Sequence, residues 1–181
     1  RYMRCEVLDF GAELGTVRNW MLIGPFPSEG QLEGLDVAYP PEESIDLTAT
    51  YPGVNGPVRW IEYRPEDKRA SVDLVKVFQP SEHVCAYALC YVTSPRELRA
   101  QIRLGTNDAG KMWFGGKLVY EYPYEGTAIL DRDIVEVTIP KGTTPILLKV
   151  CNGVHNWGFV LRITDEKGRP IGSLKFHPRP E

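Results

Sequence analysis

The chain has 181 residues, with 21 Lys and Arg against 24 Asp and Glu, a formal charge of −3, and 43% hydrophobic residues. That is the balance of an ordinary globular domain, long enough to bury a full core without metal or disulfide staples. No run approaches the ~18 apolar residues that a membrane helix needs, and an acidic balance with no basic block speaks against nucleic acid as a partner.

A chain that opens on Arg1 rather than Met reads as a processed product or a piece of a longer protein. Residues 1–181 read as a single domain. Its 17 glycines and 15 prolines favour many turns and short strands over long helices. The four cysteines, Cys5, Cys85, Cys90 and Cys151, include no C-x-x-C pair, which disfavours a structural zinc site. Cys85 and Cys90 lie an odd number of positions apart in a strand-like run. Their side chains therefore point to opposite faces, which disfavours a bridge between them. The cysteines read as small buried hydrophobes.

In chain order, the residues before Trp20 show little periodicity. Residues 20–23 are a short apolar run, stopped by Gly24-Pro25-Phe26-Pro27. From about residue 24 to 57 the chain is rich in Gly, Pro and Glu. Proline removes ladder donors and fixes φ, so this segment is expected to be irregular and to wrap the surface, with room for a short helix between Asp36 and Thr50. Strand-like runs follow at 58–64 and 72–78. Residues 84–92 are apolar on both faces, the signature of a central strand. In 98–104, Leu98, Ala100, Ile102 and Leu104 alternate with Arg99, Gln101 and Arg103, which gives one dry and one wet face. The runs 111–114 and 117–122 flank Gly115-Gly116, which predicts a tight primed turn. Val135, Val137 and Ile139 alternate with polar residues; 146–150, 159–163 and 171–176 complete the series. Eight or nine short strands without βαβ alternation read as an all-β fold, an antiparallel β-sandwich.

No nucleophile elbow, zincin helix, Walker loop or dinucleotide fingerprint is present. His83, His155 and His177 lie far apart, and nothing singles out a pair among the acidic residues for glycoside hydrolysis. The chain therefore reads as non-catalytic.

Three stretches carry a family resemblance: residues 19–27, NWMLIGPFP; 105–122, GTNDAGKMWFGGKLVYEY; and 149–170, KVCNGVHNWGFVLRITDEKGRP. Together they resemble the galactose-binding-like jelly roll, as in the sugar-binding domain of family 2 glycoside hydrolases and related bacterial carbohydrate-binding modules. The second stretch also resembles the protective-antigen-type lectin domain, with one departure: Gly115 stands where such hairpins often carry Asn. The resemblance implies a jelly-roll module that either binds carbohydrate or braces a neighbouring catalytic domain. It implies a polysaccharide or oligosaccharide and the catalytic domain of the same parent protein as partners. It also implies a secreted or cell-surface setting in a larger bacterial protein, with no nucleic acid or membrane contact.

Sugar recognition needs a flat aromatic face for the C–H side of a pyranose and fixed planar groups for its hydroxyls. Tyr120, Tyr122 and Tyr124 alternate at the end of the hairpin. Leu118 shares their parity, so Tyr120 is expected to face the core and Tyr124 to face outward. Asn107 and Asp108 precede the hairpin. Asp108 can accept from sugar hydroxyls or hold a structural calcium, but an Asx-turn closing the loop is the favoured reading. Between two strands, Asn152, His155 and Asn156 supply amide and imidazole groups, and loops of this kind carry grafted sites. Trp157 can stack on a sugar but reads more readily as a packing anchor, as do Trp20, Trp60 and Trp113. The row Arg99, Gln101 and Arg103 reads as a solvated face, with acidic polysaccharide as a minor variant.

Overall fold

The computed structural model describes residues 14–30, 32–67 and 69–180. Among them, in chain order, are β1 (Trp20–Pro27), one helical turn α1 (Pro40–Glu43), β2 (Thr50–Gly53), β3 (Gly56–Arg59), β4 (Ile61–Tyr63), β5 (Val72–Asp73), β6 (Val84–Ser94), β7 (Leu98–Thr106), β8 (Gly110–Phe114), β9 (Lys117–Tyr122), β10 (Asp133–Ile139), β11 (Gly142–Asn152), β12 (Gly158–Thr164) and β13 (Lys175–His177). All pairings between them are antiparallel. One sheet runs β4-β1-β6-β11-β8-β9, with β13 also on β6; the second runs β10-β7-β12-β5; β2 and β3 form a separate hairpin. The fold is an antiparallel β-sandwich, as the alternation and turn spacing predict.

The core lies between the two sheets. Val84, Ala86, Ala88, Cys90 and Val92 of β6 and Ile146, Leu148 and Val150 of β11 face Ala100, Ile102 and Leu104 of β7 and Phe159, Leu161 and Ile163 of β12. Trp20 is fully buried and meets Phe159 edge-on at 5.0 Å, joining the first strand to the opposite sheet. Each such aromatic buries a large apolar area and contributes about 2–3 kcal/mol relative to exposure. The alternate residues of β6 (Cys85, Tyr87, Leu89) are equally buried, on the outer face of the larger sheet. That double burial is why 84–92 lacks a wet face.

What covers the outer face is the Gly- and Pro-rich segment. Met21, Ile23, Phe26, Tyr87, Leu89 and Leu147 pack there with Trp60 and with Tyr39, Leu47, Tyr51 and Val58 of the covering chain. A buried lysine fastens it. Lys149 Nζ, fully buried, donates to the carbonyls of Leu35 (3.2 Å) and Val37 (2.6 Å) and to Glu42 Oε1 (2.8 Å), and the Tyr87 hydroxyl donates to the same carboxylate at 2.5 Å. Tyr39 stacks on Phe26 with centroids 4.8 Å apart and donates its hydroxyl to the Pro27 carbonyl. Burial pushes the Tyr87 hydroxyl far above its ordinary pKa, and the bond to Glu42 adds to the shift.

Several expected boundaries move. The first strand continues through Gly24-Pro25 to Pro27, with a register irregularity between Ile23 and Phe26. The Pro-rich segment holds a regular hairpin after all, because Pro52 and Pro57 face each other as register partners and neither needs to donate. Residues 58–64 split at Trp60, whose ring turns into the outer-face cluster, so β3 pairs with β2 and β4 with β1. Of 72–78 only β5 is strand; Leu74–Lys76 closes as a 3₁₀ turn. The final strand is shorter and later than 171–176. The short helix expected between Asp36 and Thr50 is α1. Gly115 and Gly116 have φ of +57° and +80°, as a primed turn requires. Cys5 lies outside the described residues, as does most of the stretch before Trp20.

Candidate functional site

Three loops meet at one end of the sandwich: 107–109 between β7 and β8, 123–132 between β9 and β10, and 153–157 between β11 and β12. Asn107, Asp108, Glu125, Gly126, Thr127, Val154, His155 and Asn156 line a cleft of about 380 Å³ between them. An adjoining hollow of about 270 Å³ shares Asn107, Thr127 and Asn156 and extends toward Ser71 and Asp73. Each volume is near or within the range of small-molecule sites, ~300–1,000 Å³.

Asp108 organises the cleft. Its Oδ1 accepts from the Gly126 N–H (3.1 Å) and its Oδ2 from the Gly153 N–H (3.0 Å), so one carboxylate ties both neighbouring loops to its own. The Asp108 N–H in turn donates to the Gly126 carbonyl at 3.1 Å. Asp108 sits at φ +61° and is buried. The Asx-turn expected of Asp108 is not what forms: its carboxylate bonds backbone N–H groups 18 and 45 positions away, bridging loops rather than closing its own. His155 is the second left-handed residue at the rim, φ +69°, and its N–H reaches Glu82 Oε1 at 3.3 Å. Two non-glycine residues held in this region mark a backbone over-determined by its surroundings.

Arg132 does for the 123–132 loop what Asp108 does for the junction. Its Nη1 donates to the carbonyls of Thr106 (2.8 Å) and Thr127 (3.1 Å), its Nη2 to Thr106 Oγ1 (3.2 Å) and Tyr120 Oη (3.1 Å), and its Nε to Asp133 Oδ2 (2.8 Å). The guanidinium also lies 3.9 Å from the Tyr122 ring centroid. The loop crosses β7 so closely that a Cβ on Gly105 would fall 2.1 Å from the Ile129 carbonyl oxygen. Neither Arg132 nor Gly105 stands out in the sequence, because their partners are 26 and 24 positions away; the pairing of a lone Arg with Asp133 after an irregular stretch is the faint signal that was there.

The tyrosines separate. A register shift between Met112 and Trp113 places Tyr120 opposite Met112 and Leu118 opposite Trp113, so the shared parity assumed for Leu118 and Tyr120 breaks. Tyr120 packs on the core with its hydroxyl on Asp133 (2.8 Å). Tyr122 is half-buried against Arg132, and Tyr124 meets it edge-on at 5.5 Å and is 65% exposed.

Asn107, Asp108, His155 and Asn156 thus come together in one cleft, with Tyr122 at the end of β9 and Tyr124 on the adjoining loop. Asn152 and Trp157 do not present their polar groups to it. Asn152 is fully buried and donates Nδ2 to the Ser81 carbonyl at 2.6 Å. Trp157 is buried, donates Nε1 to the Val150 carbonyl (3.2 Å) and tilts against Phe78, the packing role expected of it. The Arg99–Gln101–Arg103 row is internally paired: Arg103 contacts Asp131 (3.2 Å) and Gln101 (2.7 Å), and Arg99 contacts Glu166 (3.4 Å). No group of three or more metal-ligating side chains occurs among the described residues. Both oxygens of Asp108 accept from backbone N–H groups, the hydrogen-bonding alternative to the calcium role.

No protein-family model and no curated protein sequence matches the chain. Solved structures with some likeness include a β-glucosidase from Kluyveromyces marxianus, at 8% identity over 91% of this chain and 19% of that one, TM-score 0.48. An anti-sigma factor domain-containing protein from Clostridium clariflavum aligns at 11% identity over 92% of this chain and 48% of that one, TM-score 0.47. A GH31 α-xylosidase from Xanthomonas citri aligns at 10% over 65% and 15%, TM-score 0.36. Glycoside hydrolase chains are therefore among the structural neighbours, and this chain spans less than half the length of each of these proteins. Likeness this slight transfers no property to the cleft.

Proposed function

We propose that this chain is a non-catalytic carbohydrate-binding module that holds a polysaccharide or oligosaccharide near a catalytic domain of the same parent protein. The observation that carries the reading is the cleft itself: Asn107, Thr127, His155 and Asn156 converge on one open hollow, fixed in place by Asp108 and Arg132, with an exposed tyrosine on the same loop. The two planar amides offer both donors and acceptors to vicinal hydroxyls. The Tyr124 ring offers an apolar face for the C–H side of a sugar. Rigid loops keep the ordering cost of binding low.

The non-catalytic part of the reading draws support from the carboxylates. Two opposed carboxyl groups carry most glycoside hydrolysis. In this cleft Asp108 is committed to two backbone N–H groups, which leaves Glu125 as the other acidic side chain among the lining residues. A bracing role exercised through the Pro-rich segment finds less support, since that segment packs Tyr39, Leu47 and Tyr51 against the chain's own sheet.

Affinity electrophoresis through gels loaded with plant, fungal and bacterial polysaccharides tests the proposal. Retardation by at least one glycan, weakened about tenfold or more by Tyr124→Ala or Asn156→Ala with an unchanged melting temperature, is the expected result. Migration unaffected by every glycan class, or retardation that both variants retain in full, would overturn it.

A further inference from the structure

We propose that Cys85 and Cys151 are joined by a disulfide that forms while the chain folds and staples the root of the 153–157 loop. The two residues are register partners across β6 and β11. The Cys151 N–H points the other way, to the Ala109 carbonyl at 2.8 Å. The pair is therefore of the non-hydrogen-bonded kind, in which opposite Cα atoms approach to about 4.5 Å and side chains lie closest. That spacing falls within what a disulfide spans. Both residues are fully buried free thiols in this structure, and Cys85 Sγ donates to Cys151 Sγ at 2.7 Å. Cys90 belongs to the core between the sheets, on the opposite face of β6, and does not compete.

The pair is sealed. Leu35 and Ala109 pack beside it, and the backbone of the covering turn lies so near that a Cβ on Gly34 would fall 2.5 Å from Cys85 Sγ. Burial raises the Cys151 thiol well above its ordinary pKa, which suppresses the thiolate that exchange requires. Exchange therefore takes place before the turn closes, and the finished bond is shielded afterwards. With oxidised glutathione as oxidant, one cysteine thiolate attacks the glutathione disulfide and releases one glutathione thiolate. The second cysteine thiolate then attacks the mixed disulfide and releases the other. The cysteines lose two protons and two electrons, and one oxidised glutathione becomes two reduced molecules. The staple sits directly under the cleft: Asn152 and Gly153 follow Cys151, and the His83 N–H holds the Gly153 carbonyl at 2.8 Å.

The test is to refold the full chain from the reduced, urea-unfolded state in glutathione buffer. The soluble folded fraction is acid-quenched, alkylated under denaturing conditions and digested without reductant. The expected product is a peptide pair linked through Cys85 and Cys151, two hydrogens lighter than the free pair, in wild type and in Cys90→Ala and Cys5→Ala alike. Dithiothreitol is expected to cleave the link at least about tenfold more slowly in the folded protein than in urea. Alkyl label on both Cys85 and Cys151 of the folded fraction would overturn the proposal, as would a link from either to Cys5 or Cys90. Equal cleavage rates in the folded and unfolded protein would overturn the shielding.

Discussion

At the scale of single residues, the cleft separates into groups that build it and groups that face its contents. Asp108 builds it. Replacing it with Ala removes two hydrogen bonds to a buried carboxylate and leaves a left-handed backbone position that Ala tolerates poorly. Asp108→Ala is expected to cost about 2 kcal/mol, which lowers the melting temperature by about 4–8 °C. Asn156, exposed at the rim, is expected to stay within about 0.5 kcal/mol of wild type when changed to Ala. Differential scanning calorimetry of the two variants distinguishes a builder from a reader; equal losses would contradict the division. A sequence reading finds both residues but not the difference between them, since the partners of Asp108 sit in two other loops.

At the scale of elements, the covering segment depends on Lys149, the one charge in the outer row of β11 that it shares with Pro145, Leu147 and Cys151. Removing one member of a buried ion pair strands the other, so Lys149→Met is expected to cost about 3 kcal/mol and to expose the 28–47 region to protease before the sandwich itself is cut. Adding Glu42→Leu removes the stranded carboxylate and is expected to restore more than half of that loss. Urea titration with limited proteolysis checks both; a double variant weaker than the single one would contradict the pairing. Much of the element order was legible beforehand. Strands with one wet face, such as β7 and β10, follow from alternation, and Gly115-Gly116 announced its turn. What period-two patterning cannot see is the register irregularities in β1 and at the β8–β9 hairpin, or a hairpin whose prolines pair with each other. The Pro-rich segment wraps the surface as its composition implies, but what fastens it there is hidden from the sequence, because contacts such as Lys149 to Leu35 span 114 positions.

At the scale of the whole molecule, charge sets the acid limit. Hydrogen bonds from Arg162, with Arg103 beside it, hold the Asp131 carboxyl below the usual carboxylate range against the burial that raises it. Asp165 is lowered by the Arg169 backbone and side chain, and Asp46 by Thr48. A carboxyl with a depressed folded pKa contributes stability that is fully present above its unfolded value of ~3.9 and is lost as pH falls through the folded one. Urea midpoints are therefore expected to hold level down to about pH 4–5 and to fall below it. Asp131→Asn is expected to lower the midpoint at pH 7 and flatten the acid limb. An acid limb as steep in the variant as in wild type would remove Asp131 from the account.

The claim that the loops at one end of this sandwich hold a saccharide without transforming it is tested most directly by a single titration. ¹⁵N-labelled protein is followed by amide NMR while the oligosaccharide class that retards it on gels is added, and the sugar's anomeric signals are recorded in the same tube. Saturable shifts concentrated at Asn107, Tyr124 to Thr127, His155 and Asn156 are expected, with the anomeric spectrum unchanged over days. Shifts confined to the outer faces of the sheets, or new reducing-end signals that grow with time, would contradict it.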